Sequence, residues 1–140
     1  MPDFSLEQMT GGVVIGIDEA GRGPWAGPVV AAAVLLDRQH LSPLLRNGLA
    51  DSKTLSRERR AVLYQALCRE ASFGVGAASV DEIDHHNVLV ATFRAMARAV
   101  RALGIRPDVA LVDGNRAPPL PCPVTTVVRG DSSSLSIAAA

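Results

Sequence analysis

Apolar residues along this chain fall into two kinds of block, unbroken runs and helical stripes. Val13 to Ile17 is an unbroken run and reads as a first strand, and Val29 to Leu36, rich in valine and alanine, reads as a second. Continuous apolar character in both predicts strands covered on both faces, as at the centre of an α/β sheet. Pro24 to Pro28 reads as the turn between them. Asp37 to Leu49 carries proline, glycine and asparagine and is expected to be irregular. Ser56 suits a helix N-cap, and the helix should run to about Glu70 with Val62, Leu63, Ala66 and Leu67 on one face. Ser72 to Val80 predicts a third strand. Ile83 and Asp84 lead to a second helix, capped by Asn87, whose apolar stripe is Leu89, Phe93, Met96, Val100 and Leu103. Gly104 ends it, with Pro107 just beyond. Val109 to Asp113 is a short strand, Pro118 to Pro123 a proline-rich turn, Val124 to Val128 a further strand, and Gly130-Asp131-Ser132 opens a last helix. That order predicts an α/β fold built on one mixed β-sheet flanked by helices.

Composition changes this picture little. At 140 residues, 48% apolar and 20% charged, the chain has room for one globular domain. Fourteen basic residues balance fourteen acidic ones, so any affinity for nucleic acid must come from local patches. Cys68 and Cys122 are too few for a disulfide scaffold and are expected to be buried small hydrophobes, which fits a reduced, cytoplasmic setting. No apolar run is long enough for a bilayer, so no membrane is expected as a partner, and Met1 to Thr10 lacks an export pattern. The last residues, Ser134 to Ala140, read as a helix still in progress, without the glycine, asparagine or proline that ends one. More sequence is therefore expected beyond Ala140.

The candidate chemistry lies at strand ends. Asp18 and Glu19 follow the first strand, Asp113 closes a later one, and Asp131 stands just before the last helix. Ends of neighbouring strands in an open sheet converge on a crevice where ligands bind. Buried carboxylates are costly unless a charge compensates them, and oxygen donors select hard cations such as Mg2+ or Mn2+. Four such groups can hold two divalent ions for an in-line phosphoryl displacement. Adjacent strand residues point to opposite faces, so Glu19 joins Asp18 only if the chain twists out of pleat there. Asp131 alone could equally be an ordinary helix N-cap. Gly21 and Gly23 let backbone amides approach a substrate, with Arg22 between them.

Four motifs then carry a resemblance. Gly16-Ile17-Asp18-Glu19-Ala20-Gly21-Arg22-Gly23-Pro24 with Ala26-Gly27-Pro28, Asp51-Ser52-Lys53-x-Leu55-Ser56, Val112-Asp113-Gly114-Asn115, and Gly130-Asp131 followed by Ser134-x-Ser136-Ile137-Ala138-Ala139-Ala140 resemble ribonuclease HII, the bacterial type-2 ribonuclease H, in order and spacing. The resemblance implies an RNase H-like sheet in a single catalytic domain, residues 1–140, without the family's C-terminal helical region. It implies a metal-dependent endonuclease, using Mn2+ or Mg2+, that cuts the RNA strand of RNA–DNA hybrids. It further implies incision on the 5′ side of a single ribonucleotide embedded in duplex DNA, leaving 3′-hydroxyl and 5′-phosphate ends, by a protein working as a monomer. Asp18, Glu19, Asp113 and Asp131 match the metal-binding, catalytic carboxylates. Gly21, Arg22 and Gly23 match the motif that reads the ribose 2′-hydroxyl, the group that distinguishes RNA from DNA. Lys53 matches a lysine suited to a backbone phosphate, Asn87 resembles a polar position facing the DNA strand, and Ser134 and Ser136 begin a helix whose amides could meet a phosphate. Ser133 stands where relatives often have a basic residue. Tyr64, the only tyrosine, does not match the tyrosine that the family's C-terminal region packs against the substrate.

Other features stay open to plainer readings. Arg94, Arg98 and Arg101 form a basic helix face that either tracks phosphates or is simply solvated. His85 and His86 read as surface residues, and Trp25 either packs under its loop or meets a minor groove. Two other functions compete: a hybrid-binding module without catalysis, and another RNase H-like nuclease such as a resolvase, against which the Gly21-Arg22-Gly23 motif argues.

Overall fold

The protein is described by a computed structural model over residues 3–20, 27–50, 56–130 and 134–140. Five strands form one mixed sheet: β1 (Val14–Ala20), β2 (Val29–Leu36), β3 (Ala71–Ala78), β4 (Val109–Asp113) and β5 (Val124–Val127), in the order β3-β2-β1-β4-β5. Central β1 is antiparallel to β2 and parallel to β4, while β2 and β3 are antiparallel and β4 and β5 parallel. Strands β1, β3, β4 and β5 therefore all end at one rim of the sheet, and β2 begins there. Among the described residues six helices accompany them: α1 (Ser5–Thr10), α2 (Pro43–Ala50), α3 (Arg57–Glu70), α4 (Val80–His86), α5 (Val88–Leu103) and α6 (Leu135–Ala139). Among the described residues no helix is long and apolar enough to cross a membrane.

Helix α5 covers one face of the sheet. Its Ala91, Ala95 and Ala99 are fully buried against Ile15, Ile17, Ala31 and Ala33. Small residues are required on both sides of this contact. A Cβ on Gly74 would strike the α5 backbone at Ala99 and Leu103, and one on Gly76 would strike it at Ala95 and Ala99. The other face carries Val34 and Leu36 under Leu45, Leu63, Ala66 and Ala139, and Val14 with Leu111 and Ile137. Gly16 sits where a side chain would run into the backbone at Ser136 and Ile137, so the first glycine of the sequence motif is a packing glycine beneath α6.

Most predicted elements form where the pattern places them. Ser56 Oγ accepts the Arg59 N–H at 3.2 Å and starts α3. Asn87, at φ 101°, caps α5, which Gly104 ends in the left-handed region at φ 72°. The differences have local causes. Strand β1 runs through Asp18 and Glu19 to Ala20, because the β2 ladder continues with Glu19 beside Ala31 and Ala20 beside Val30. The stretch expected to be irregular holds α2, with Pro43 at its first position and Ser42 Oγ accepting the Leu45 N–H at 3.3 Å. Its Gly48 makes room for Leu63. Helix α4 follows β3 directly, begun by a reciprocal cap between Ser79 and Glu82. Cys68 is exposed, contrary to expectation, and Cys122 is half-buried.

The rim of the sheet where β1 and β4 begin is laced by hydrogen bonds. The Val13 N–H donates to Asp108 Oδ2 at 2.8 Å, the Asp108 N–H donates to the Val13 carbonyl at 2.8 Å, and Arg38 Nη2 donates to the Gly12 carbonyl at 2.9 Å.

Candidate active site

The opposite rim carries the acids. In the parallel ladder Ile17 lies beside Val112, so one residue further on Asp18 and Asp113 stand level at the ends of adjacent strands. Strand alternation places Glu19 on the α5 side with Ile15 and Ile17, and Asp18 on the α6 side with Val14 and Gly16. The departure from the pleat that was expected to bring the two acids together is absent from the ladder. The ladder persists to Ala20, and Asp18 instead turns back so that its Oδ1 accepts the Glu19 N–H at 2.8 Å. Asp113 Oδ1 accepts the Gly130 N–H at 2.7 Å, which fixes the carboxylate against the turn after β5.

Burial pushes the Asp18 carboxyl from its ordinary value of 3.8 up to about 7, and the charges of Asp113 and Glu19 push the same way. The hydrogen bond from the Glu19 N–H opposes them without prevailing. A cluster of oxygen donors whose own charges repel fits a hard divalent cation, which supplies the missing positive charge. Among the described residues no three histidine, cysteine or acidic side chains already close on an ion position. Asp131, the fourth expected carboxylate, lies outside the described residues, next to Gly130.

Beside the acids lies a cleft of about 330 Å³, at the low end of the range for small-ligand sites. Glu19, Asp113, Asn115 and Arg116 line its polar side, and Leu89, Thr92, Phe93 and Met96 of α5 line the other. Asn87 is exposed at the start of that helix, with its Oδ1 accepting the Val90 N–H at 3.0 Å. Gly21, Arg22, Gly23, Lys53 and Trp25 fall outside the described residues.

Ser134 and Ser136 stand at the start of α6, Ser134 as its N-cap. Both are buried, and their hydroxyls donate to Glu7 at 2.8 and 3.3 Å. Their side chains therefore serve the interior, while the phosphate contact expected at this point was one made by the helix amides. On α5, Arg98 donates to both Glu82 oxygens at 2.7 and 2.8 Å, and Arg94 lies 3.6 Å from Glu82. Two of the three arginines on that face are thus paired within the protein. The sequence reading missed Glu7 and Arg116. Glu7 has no local signal, since its partners lie 127 and 129 residues away, whereas Arg116 directly follows the Asp113-Gly114-Asn115 motif.

Comparison with known proteins gives a consistent answer. Residues 15–140 match the family model described as Ribonuclease HII. A ribonuclease HII of Paramagnetospirillum magneticum is 59% identical over 140 residues, covering 100% of this chain and 70% of the relative. A ribonuclease HII of Rhodospirillum rubrum is 58% identical over 142 residues, covering 100% of this chain and 65% of the relative. The chain thus spans about two thirds of the length of these relatives. The crystal structure of ribonuclease H2 from Pyrococcus horikoshii OT3 superposes with a TM-score of 0.76 at 28% identity, over 90% of this chain and 67% of that one.

Proposed function

The chain belongs to the ribonuclease HII family, and from that premise we propose that it is an endonuclease hydrolysing the RNA strand of RNA–DNA hybrids. The reading includes incision on the 5′ side of a single ribonucleotide embedded in duplex DNA. The observation that carries it is the Asp18 carboxyl, held up to about 7 beside Asp113 and Glu19 at adjacent strand ends and next to a cleft. Perturbed carboxyls cluster at functional sites, and a cation would resolve the repulsion among these.

Asp18, Glu19, Asp113 and Asp131 would hold Mg2+ or Mn2+, as a pair of ions. Bound there, the metal supplies Lewis acidity, an activated water and charge for the leaving oxygen. The protein's own groups do the rest. Asp18 would hold the ion in its deprotonated form, and the Glu19 N–H, donating to Oδ1 at 2.8 Å, restrains that carboxylate. The Gly130 N–H restrains Asp113. Arg116 offers a cation to the phosphate backbone, and Phe93 and Met96 form an apolar wall that limits water in the cleft. Gly21, Arg22 and Gly23 are proposed to read the 2′-hydroxyl, Lys53 a backbone phosphate, and Asn87 the DNA strand.

The test is incubation with duplex DNA holding one ribonucleotide and Mn2+. Nicking on the 5′ side of the ribonucleotide is expected, falling to background in Asp113→Asn while duplex binding persists. An Asp113→Asn variant that cuts at the wild-type rate refutes the site. Binding by the wild-type chain without any nicking assigns it as a hybrid-binding module instead.

A further inference from the structure

The turn that follows β5 holds a residue in a costly backbone conformation. Arg129 has φ 54°, in the left-handed region that glycine or asparagine adopts more readily. The other described non-glycine residue with positive φ, Asn87, is explained by the cap it makes on α5, and Arg129 has no such local task. Its neighbours leave it little choice. The Gly130 N–H donates to Asp113 Oδ1 at 2.7 Å, the Gly114 N–H donates to the Val127 carbonyl at 3.0 Å, and a Cβ on Gly130 would strike Ile137. Between these ties the chain turns at Val128 and Arg129, and both side chains are exposed.

The turn after β4 carries a matching residue. Asp113 pairs with Val127 in the parallel ladder, so by count Asn115 and Arg116 leave β4 beside Arg129 and Gly130 leaving β5. Adjacent strands stand about 4.8 Å apart, and the two arginines therefore come from neighbouring turns at the Asp113 rim. Arg116 lines the cleft with Glu19 and Asp113 yet pairs with neither. Among the described residues neither guanidinium has a hydrogen-bond or ion-pair partner, unlike Arg38, Arg94 and Arg98. Two like charges left close together cost Coulomb energy, and an anion that meets both removes that cost.

We propose that Arg116 and Arg129 act as a pair, gripping neighbouring phosphates of one nucleic-acid strand beside the acids, with Arg129 held in its strained turn for that contact. The inference deepens the proposed function and rests on it. Arginine suits the task, because its planar fork meets phosphate oxygens two at a time. Groups that hold backbone rather than reacting atoms contribute uniform binding, so their loss raises KM more than it lowers kcat.

The experiment measures how the full chain meets duplex DNA holding one ribonucleotide, by fluorescence anisotropy across salt concentration in a chelating buffer and by KM for nicking with Mn2+. Wild type, Arg116→Ala, Arg129→Ala, Arg129→Lys, Arg129→Gly and Arg106→Ala are compared after circular dichroism confirms folding. Arg106, exposed ahead of β4 at the opposite rim, is the control. Alanine at 116 or 129 is expected to weaken binding about tenfold and to lower the slope of log affinity against log salt by about 1. Arg106→Ala should change neither, and Arg129→Lys should keep the slope while losing part of the affinity. Arg129→Gly separates the contact from the fold: glycine accepts φ 54°, so the variant should melt no earlier than wild type, yet bind as weakly as Arg129→Ala. Affinity, slope and KM unchanged in Arg116→Ala or in Arg129→Gly overturn the inference. An Arg106→Ala variant that loses as much as the others overturns it too, because binding then answers to total charge. Wild type that neither binds nor nicks the duplex instead sinks the proposed function, and the inference with it.

Discussion

Asp18 is a residue placed against its own stability. With its folded value raised from 3.8 to about 7, the folded state holds a proton that the unfolded chain releases, so stability falls as pH rises between those values. Removing the charge should therefore stabilise the metal-free protein. Asp18→Asn is expected to raise the thermal midpoint above a pH of about 7 and to lose that advantage as the pH falls towards 3.8, while abolishing cleavage. Melting curves across that range in a chelating buffer test it, and a midpoint that falls at high pH contradicts it. The sequence announced this residue clearly, since two acids after a buried run are hard to explain otherwise. It could not announce how Asp18 is held, because the hydrogen bond that Asp18 accepts from the Glu19 N–H depends on the ladder continuing past it.

At the scale of elements, legibility followed the locality of the signal. Helices α3 and α5 were readable because their caps, Ser56, Asn87 and Gly104, lie within the segments they bound. Helix α2 was obscured by Asn47 and Gly48, and Gly48 answers to Leu63 on another helix. Helix α4 carried a sign that was overlooked: Ser79 followed three residues later by Glu82. That cap also supports a prediction. The Arg98 guanidinium holds Glu82 down to about 2, so the stabilisation is present above the ordinary carboxylate value of 4.5 and disappears as pH falls towards about 2. Glu82→Gln should thus lower the melting temperature near neutrality, with a difference that narrows on acidification over that window. Packing of β3 against α5 gives a sharper case. Gly76→Ala forces the helix backbone away from the strand and should cost about 1 to 3 kcal/mol in urea denaturation. A neutral result there would mean that α5 can slide.

For the whole molecule, the two helical layers share one sheet, and β1 contributes to the buried clusters on both of its faces. Unfolding should be a single cooperative transition, with calorimetric and van't Hoff enthalpies in agreement. Separate melting of the α2 and α3 layer would show as a mismatch between them. The strand order could not be read from the pattern of runs, because periodicity reports which faces are covered but not which strands are neighbours.

The two rims of the sheet also divide the work unequally. One is stitched together through Gly12, Val13, Arg38 and Asp108, and the other releases the connections after β1, β3, β4 and β5. Insertions or exchanges in the exposed segment 115–117 can thus change what the protein meets without unpicking the seam that keeps it folded. Specificity in such a molecule is free to drift on one shore while the opposite shore stays moored.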